Sequence, residues 1–82
     1  MTKPEIYAVV REQLLAVIPD LDPDRVVLQM SLRDLGANSV DRADILMQTL
    51  EALQLNVPLH QLASVKNIGE LVDALHARQS DR

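Results

Sequence analysis

Asp34-Leu35-Gly36-Ala37-Asn38-Ser39-Val40-Asp41 decides the fold. It is a glycine turn that delivers a serine to the start of an amphipathic helix. Asn38 is a good N-cap, and Asp41 places a carboxylate in the first turn, where the helix dipole favours negative charge. With no Gly or Pro ahead, the helix is predicted to run to Gln54 or Leu55. It carries two apolar rows: Ile45, Leu46, Thr49 and Leu53 on one side, and Val40, Ala43, Met47 and Leu50 on another. One row can face a core and the other is left exposed in part.

Before the stretch, Pro19 to Asn38 holds Asp20, Asp22, Asp24 and Pro23 with no helical period, so it reads as a long connection, unusual in a compact domain. Leu21, Val26, Val27, Leu28, Leu32 and Leu35 are spaced to pin it to a core. Val26 to Leu28 would suit a short strand, but no second strand-like run exists to pair with it. Further upstream, Thr2 and Glu5 form a capping-box pattern with Pro4 near the first helical position. A helix is predicted from Pro4 to Val17 on the stripe Ile6, Val9, Val10, Leu14 and Val17, with Pro19 ending it. After the stretch, Asn56, Val57 and Pro58 break the helix, and Leu59 to Ala63 form a short helical turn. Ser64 is the expected N-cap of a last helix whose stripe is Ile68, Leu71, Val72 and Leu75, with Glu70, Asp73 and Arg78 facing water. Gln79 to Arg82 read as a frayed tail. The expected fold is all-α, a bundle of three main helices plus one short helix, with a long loop between the first two.

Composition limits the function classes. The 82 residues suffice for one domain, 1–82, since halves would each fall below the size that folds unaided. Apolar residues make up 48% of the chain, yet Tyr7 is the sole aromatic, so the core must be aliphatic. The absence of cysteine removes a disulfide framework and a thiolate metal site, and makes the cytoplasm the default expectation. No apolar run approaches the roughly 20 residues of a membrane span, so no membrane association is expected. A net charge of −4 and a pI near 4.9 argue against nucleic acid as a partner. The chain is expected to be a monomer.

Ser39 is the residue on which chemistry can act. A hydroxyl at an exposed helix N-terminus is free for group transfer, and a phosphodiester formed there would sit at the positive end of the helix dipole with backbone N–H groups nearby. At these residues the sequence resembles the acyl and peptidyl carrier protein family, marked by a D-x-L-G-like turn followed by D-S-[LIV]. The likeness extends over essentially the whole chain. It implies that Ser39 is modified by a phosphopantetheinyl transferase, which attaches 4′-phosphopantetheine from coenzyme A, and that the arm's thiol carries an acyl group as a thioester. The chain would then be no enzyme. Two departures stand out. The family's Asp before the serine is Asn38 here, which keeps the cap and loses a charge, and Leu59, His60 and Gln61 occupy a region often acidic in fatty-acid carriers.

The longer run Leu35-Gly36-Ala37-Asn38-Ser39-Val40-Asp41-Arg42-Ala43-Asp44-Ile45 is most similar to the free-standing donor carriers of polyketide β-branching cassettes. That likeness implies a set of partners. A malonyl acyltransferase loads the arm, a decarboxylating ketosynthase-like enzyme converts malonyl to acetyl, and an HMG-CoA-synthase-like enzyme uses the acetyl group. Peptidyl and fatty-acyl carriers are the alternatives within the class.

The row Val40, Ala43, Met47 and Leu50 is either a docking face beside the arm or core covered by the loop. Asp34, Asp41, Asp44 and Glu51 would frame that face with negative charge, and Arg42 would discriminate between partners by like-charge repulsion. An alternative from another class is an unmodified helical adaptor that binds its partner through Met47 and Leu50. His60 and His76 lie in different elements without a third ligand, so no metal site is expected. Ser39 as an esterase nucleophile lacks the G-x-S-x-G elbow, because Gly36 is three residues away.

Overall fold

The computed structural model describes residues 1–80. Within them are three α-helices, α1 (Lys3–Val17), α2 (Ser39–Leu53) and α3 (Ile68–Ser80), and two 3₁₀ turns, Pro23–Arg25 and Leu59–Leu62. No strand occurs among the described residues, and Val26 to Leu28 is loop. The turn at Leu59–Leu62 is the expected short helix, whereas Pro23–Arg25 was not anticipated. It forms because Asp22 Oδ1 accepts the Asp24 N–H at 3.0 Å beside a proline whose φ is already suitable.

α1 begins at a complete capping box. The Thr2 N–H donates to Glu5 Oε1 at 2.9 Å, and the Glu5 N–H donates to Thr2 Oγ1 at 3.3 Å. Ile6, Val10 and Leu14 recur every fourth residue and are fully buried, while Val9 and Val17 are half-buried flanks. α1 packs against both α2 and α3, which touch each other little. Buried residues of all three helices, the loop and the second 3₁₀ turn join in one aliphatic core.

The long loop is pinned at Leu21, Val26 and Leu35, with Leu32 half-buried. Val27 and Leu28, expected to help, stay 42% and 49% exposed, because here the backbone makes the attachment. The Gly69 N–H donates to the Leu28 carbonyl and the Ile68 N–H to the Met30 carbonyl, both at 2.9 Å, so the loop satisfies the open start of α3. A side chain on Gly69 would stand 3.3 Å from that Leu28 oxygen, which is why a small residue fits there. The Tyr7 hydroxyl donates to the Val26 carbonyl and ties the same loop to α1.

Two expectations about α3 are corrected. Asn67, not Ser64, is its cap: the Glu70 N–H donates to Asn67 Oδ1 at 2.8 Å, and Ser64 lies in the preceding turn, too far from the first helical N–H groups. Gln79 and Ser80, assigned to the tail, belong to the helix, and Gln79 Oε1 accepts from the Met1 ammonium at 2.9 Å. The remainder of that tail, residues 81–82, lies outside the described residues.

Candidate functional site

Residues 31–37 build the turn that aims Ser39. Three backbone bonds close it: Leu35 N–H to Ser31 O, Gly36 N–H to Arg33 O and Ala37 N–H to Leu32 O, at 3.0 to 3.2 Å. The last of these spans five residues and requires Gly36 at φ +98°, a conformation that side chains disfavour. Leu35 and Ala37 are buried and anchor the turn from either side of the glycine.

Asn38 then caps α2 reciprocally with Asp41. The Asp41 N–H donates to Asn38 Oδ1 at 2.8 Å, and the Asn38 N–H donates to Asp41 Oδ2 at 3.4 Å. Asn38 thus performs the capping expected of it without a charge. Ser39 is the first helical residue and is exposed, and its hydroxyl makes no hydrogen bond among the described residues. The Ser39 and Val40 N–H groups also lack partners there, as expected of a helix start. A free hydroxyl beside two open amides can take a phosphodiester and give its oxygens hydrogen-bond donors.

Beyond Ser39 the exposed part of α2 divides into two rows. Arg42, Ala43 and Leu46 follow Ser39 along the wall of a cleft of about 570 Å³, bounded opposite by Leu59, Leu62 and Leu71. The cleft exists because α2 and α3 each pack on α1 and not on one another. Val40, Asp44, Met47 and Glu51 form the outer row, with Val40 66% and Met47 56% exposed. Asp34 is exposed on the turn, and Asp41 is half-buried by its capping role.

The expected docking row is therefore partly corrected. Leu50 is only 8% exposed and belongs to the core, because the chain reverses at Gln54 (φ 56°) and returns the Leu55 N–H to the Leu50 carbonyl at 2.9 Å. Ala43 faces the cleft. The adaptor reading, which relied on Met47 with Leu50, loses half its face. In the companion row, Ile45, Thr49 and Leu53 are buried, with the Thr49 hydroxyl donating to the Ile45 carbonyl at 2.7 Å.

Sequence reasoning missed Arg33 and Lys66, which line the same cleft as Ser39. Lys66 is 27 positions from Ser39 and carries no local mark of this placement. Among the described residues, no three His, Cys, Asp or Glu side chains are grouped to hold a metal ion, and no helix is long and apolar enough to cross a membrane.

Known proteins are similar to this chain in sequence and in shape. Residues 9–75 match the family model described as phosphopantetheine attachment site. The polyketide biosynthesis acyl-carrier-protein AcpK of Bacillus subtilis is 43% identical over 76 residues, covering 93% of each chain. An acyl carrier protein of Helicobacter acinonychis is 32% identical over 69 residues, covering 83% of this chain and 82% of that one. Among solved structures, a chain in the crystal structure of the curacin biosynthetic pathway HMG synthase in complex with acetyl donor-ACP matches at TM-score 0.87 and 38% identity. That match covers 94% of this chain and 99% of the other. A free serine at a capped helix start, an aliphatic three-helix frame and a family match over most of the length agree: the chain belongs to the phosphopantetheine-bearing acyl carrier protein family.

Proposed function

We propose that Ser39 is the attachment point of 4′-phosphopantetheine and that the chain is the malonyl/acetyl donor carrier of a polyketide β-branching system. The observation that carries the first part is the unbonded, exposed Ser39 hydroxyl beside two open amides at the start of α2. In the attachment step Ser39 Oγ forms a bond to the phosphorus of coenzyme A that bears the pantetheine. The bond from that phosphorus to the nucleotide breaks, 3′,5′-ADP leaves, and the hydroxyl proton passes to a base of the transferase. Once bound, the arm supplies a thiol that holds an acyl group as a thioester, chemistry for which this cysteine-free chain has no side chain of its own. The open Ser39 and Val40 amides and the cap held by Asn38 are this chain's contribution to the phosphodiester.

The donor role is supported by the likeness to AcpK and to the acetyl donor-ACP complex, together with the run from Leu35 to Ile45. Its partners would be a phosphopantetheinyl transferase, a malonyl acyltransferase, a decarboxylating ketosynthase-like enzyme and an HMG-CoA-synthase-like enzyme. The outer row of Val40, Asp44, Met47 and Glu51, an apolar strip edged with acid, suits docking to partner surfaces that pair an apolar groove with basic side chains. The absence of cysteine fits a cytoplasmic carrier, and a length of 82 residues fits a single domain.

The test is direct. Incubation with coenzyme A and a broad-specificity transferase should add one phosphopantetheine by intact-protein mass spectrometry, and Ser39→Ala should gain nothing. A wild-type mass unchanged by an active transferase would overturn the attachment. The acetyl-loaded form should then support condensation by an HMG-CoA-synthase-like enzyme onto a β-keto chain on a second carrier. Failure there with a confirmed load would move the chain to the fatty-acyl or peptidyl class.

A further inference from the structure

The cleft that starts at Ser39 has a charge opposite to that of the molecule. The chain holds 12 acidic and 8 basic side chains, yet Arg33, Arg42 and Lys66 all line this cleft and, among the described residues, no Asp or Glu does. They come from three separate segments: the turn before α2, the first turns of α2, and the connection into α3. All three are exposed at the cleft, and none makes an ion pair or side-chain hydrogen bond among the described residues. Below them the wall is aliphatic, formed by Leu46, Leu59, Leu62 and Leu71. The cleft is thus an apolar trough with an unpaired cationic rim, at a volume of about 570 Å³ that suits a small ligand.

A phosphodiester on Ser39 does not account for this rim. It carries one negative charge and is tethered to Oγ, so it can engage Arg42, one helical turn away, and leaves Arg33 and Lys66 unneutralised. A neutral acyl group would use the wall and not the cations. The remaining need is for a second anion on the same arm. Resting on the reading of Ser39 as attachment point, we propose that this cleft is a subsite for the terminal carboxylate of a dicarboxylic half-thioester such as malonyl, held by Arg33 and Lys66, with Arg42 shared between it and the phosphodiester. The subsite also discriminates between stages of the cycle. When the bound malonyl thioester loses CO₂ and its α-carbon takes up a proton, the acetyl product has no carboxylate. The ionic hold then disappears and the arm is released toward the next partner.

The test compares near-isosteric cargoes. ¹⁵N-labelled chain is loaded by a transferase from coenzyme A, malonyl-CoA and acetoacetyl-CoA, the last replacing the carboxylate with a neutral methyl ketone, and each product is checked by intact mass. In low salt, the malonyl form should shift the side-chain Nε–H resonances of Arg33 and Arg42 and the backbone amide of Lys66 relative to the acetoacetyl form. About 0.5 M salt should suppress the difference, as screening predicts. The variant carrying Arg33→Gln, Arg42→Gln and Lys66→Gln, all at exposed positions, should bring the spectra of the two cargoes together at the surrounding amides. Superimposable wild-type malonyl and acetoacetyl spectra around the cleft, with loading confirmed, overturn the inference alone. So does a rim shift already complete on attaching the unacylated arm, which assigns the cations to the phosphodiester. If no form gains mass, the attachment reading falls and this inference with it.

Discussion

Gly36 sits at φ +98° with nothing within 4 Å of where a Cβ would stand, so its requirement is conformational and not one of space. Gly36→Ala should therefore destabilise the fold by about 1 kcal/mol or more, read as a lower urea midpoint with an unchanged m-value. Two residues on, the Asn38 amide oxygen holds the Asp41 N–H at 2.8 Å. Asn38→Ala should cost about 1 kcal/mol in the same assay. Asn38→Asp should stay within about 0.5 kcal/mol of wild type, since it keeps the acceptor and its gain from the dipole is offset by repulsion from Asp41. Ser39, Asn38 and Gly36 could be picked out in the sequence because turn, cap and helix start are local events governed by adjacent residue types. Arg33 and Lys66 could not, because their meeting at one cleft depends on how three helices pack. Leu50 was ambiguous for a related reason: its row is about as apolar as the row of Ile45, and the backbone return from Leu55 helps settle which side is covered.

The helices differ in how much of each is decided locally. α1 was legible throughout, since its capping box, its stripe and the proline that follows it all lie within 20 residues. The box also gives α1 a pH dependence. Glu5 accepts hydrogen bonds from the Thr2 backbone N–H and, secondarily, the Thr2 hydroxyl, and these hold its carboxyl below the usual carboxylate range. A carboxyl with a depressed folded-state pKa stabilises the fold above its unfolded pKa, and that contribution disappears as pH falls through the folded value. Between about pH 6 and about pH 3, wild type should lose more melting temperature than Glu5→Gln, whose amide oxygen remains an acceptor throughout. Equal losses would show that the carboxylate contributes nothing to the cap. α3 was less legible at its start. Ser64 and Asn67 are both competent caps by type, and the choice falls to Asn67 because the Leu28 and Met30 carbonyls, from a loop some 40 residues earlier, meet the N–H groups of Gly69 and Ile68. No local pattern encodes that bond, although the loop's buried anchors Leu21, Val26 and Leu35 were visible as spaced aliphatics.

At the scale of the whole molecule, α1 is the common support: α2 and α3 each rest on it, and the open cleft at Ser39 is the consequence of their not closing on one another. This arrangement reconciles a stable frame with a free groove, provided that the cohesion is concentrated in α1. Leu14 is fully buried on its inward stripe, whereas Met47 is 56% exposed on the outer row of α2. Leu14→Ala should then cost about 2–5 kcal/mol, a large share of the 5–15 kcal/mol typical of a domain, and Met47→Ala about 0.5 kcal/mol or less. Because α2 and α3 share α1 as partner, the loss in Leu14→Ala should not be confined to one side. Hydrogen exchange of the buried amides of α2 and of α3 should accelerate together and by the same factor. Protection lost from α3 alone would mean that α2 and the second 3₁₀ turn form a unit able to stand without α1. The same comparison separates stability from recognition: Met47→Asp should leave the melting temperature of the carrier nearly unchanged while, on the docking role proposed for the outer row, raising KM for a partner enzyme.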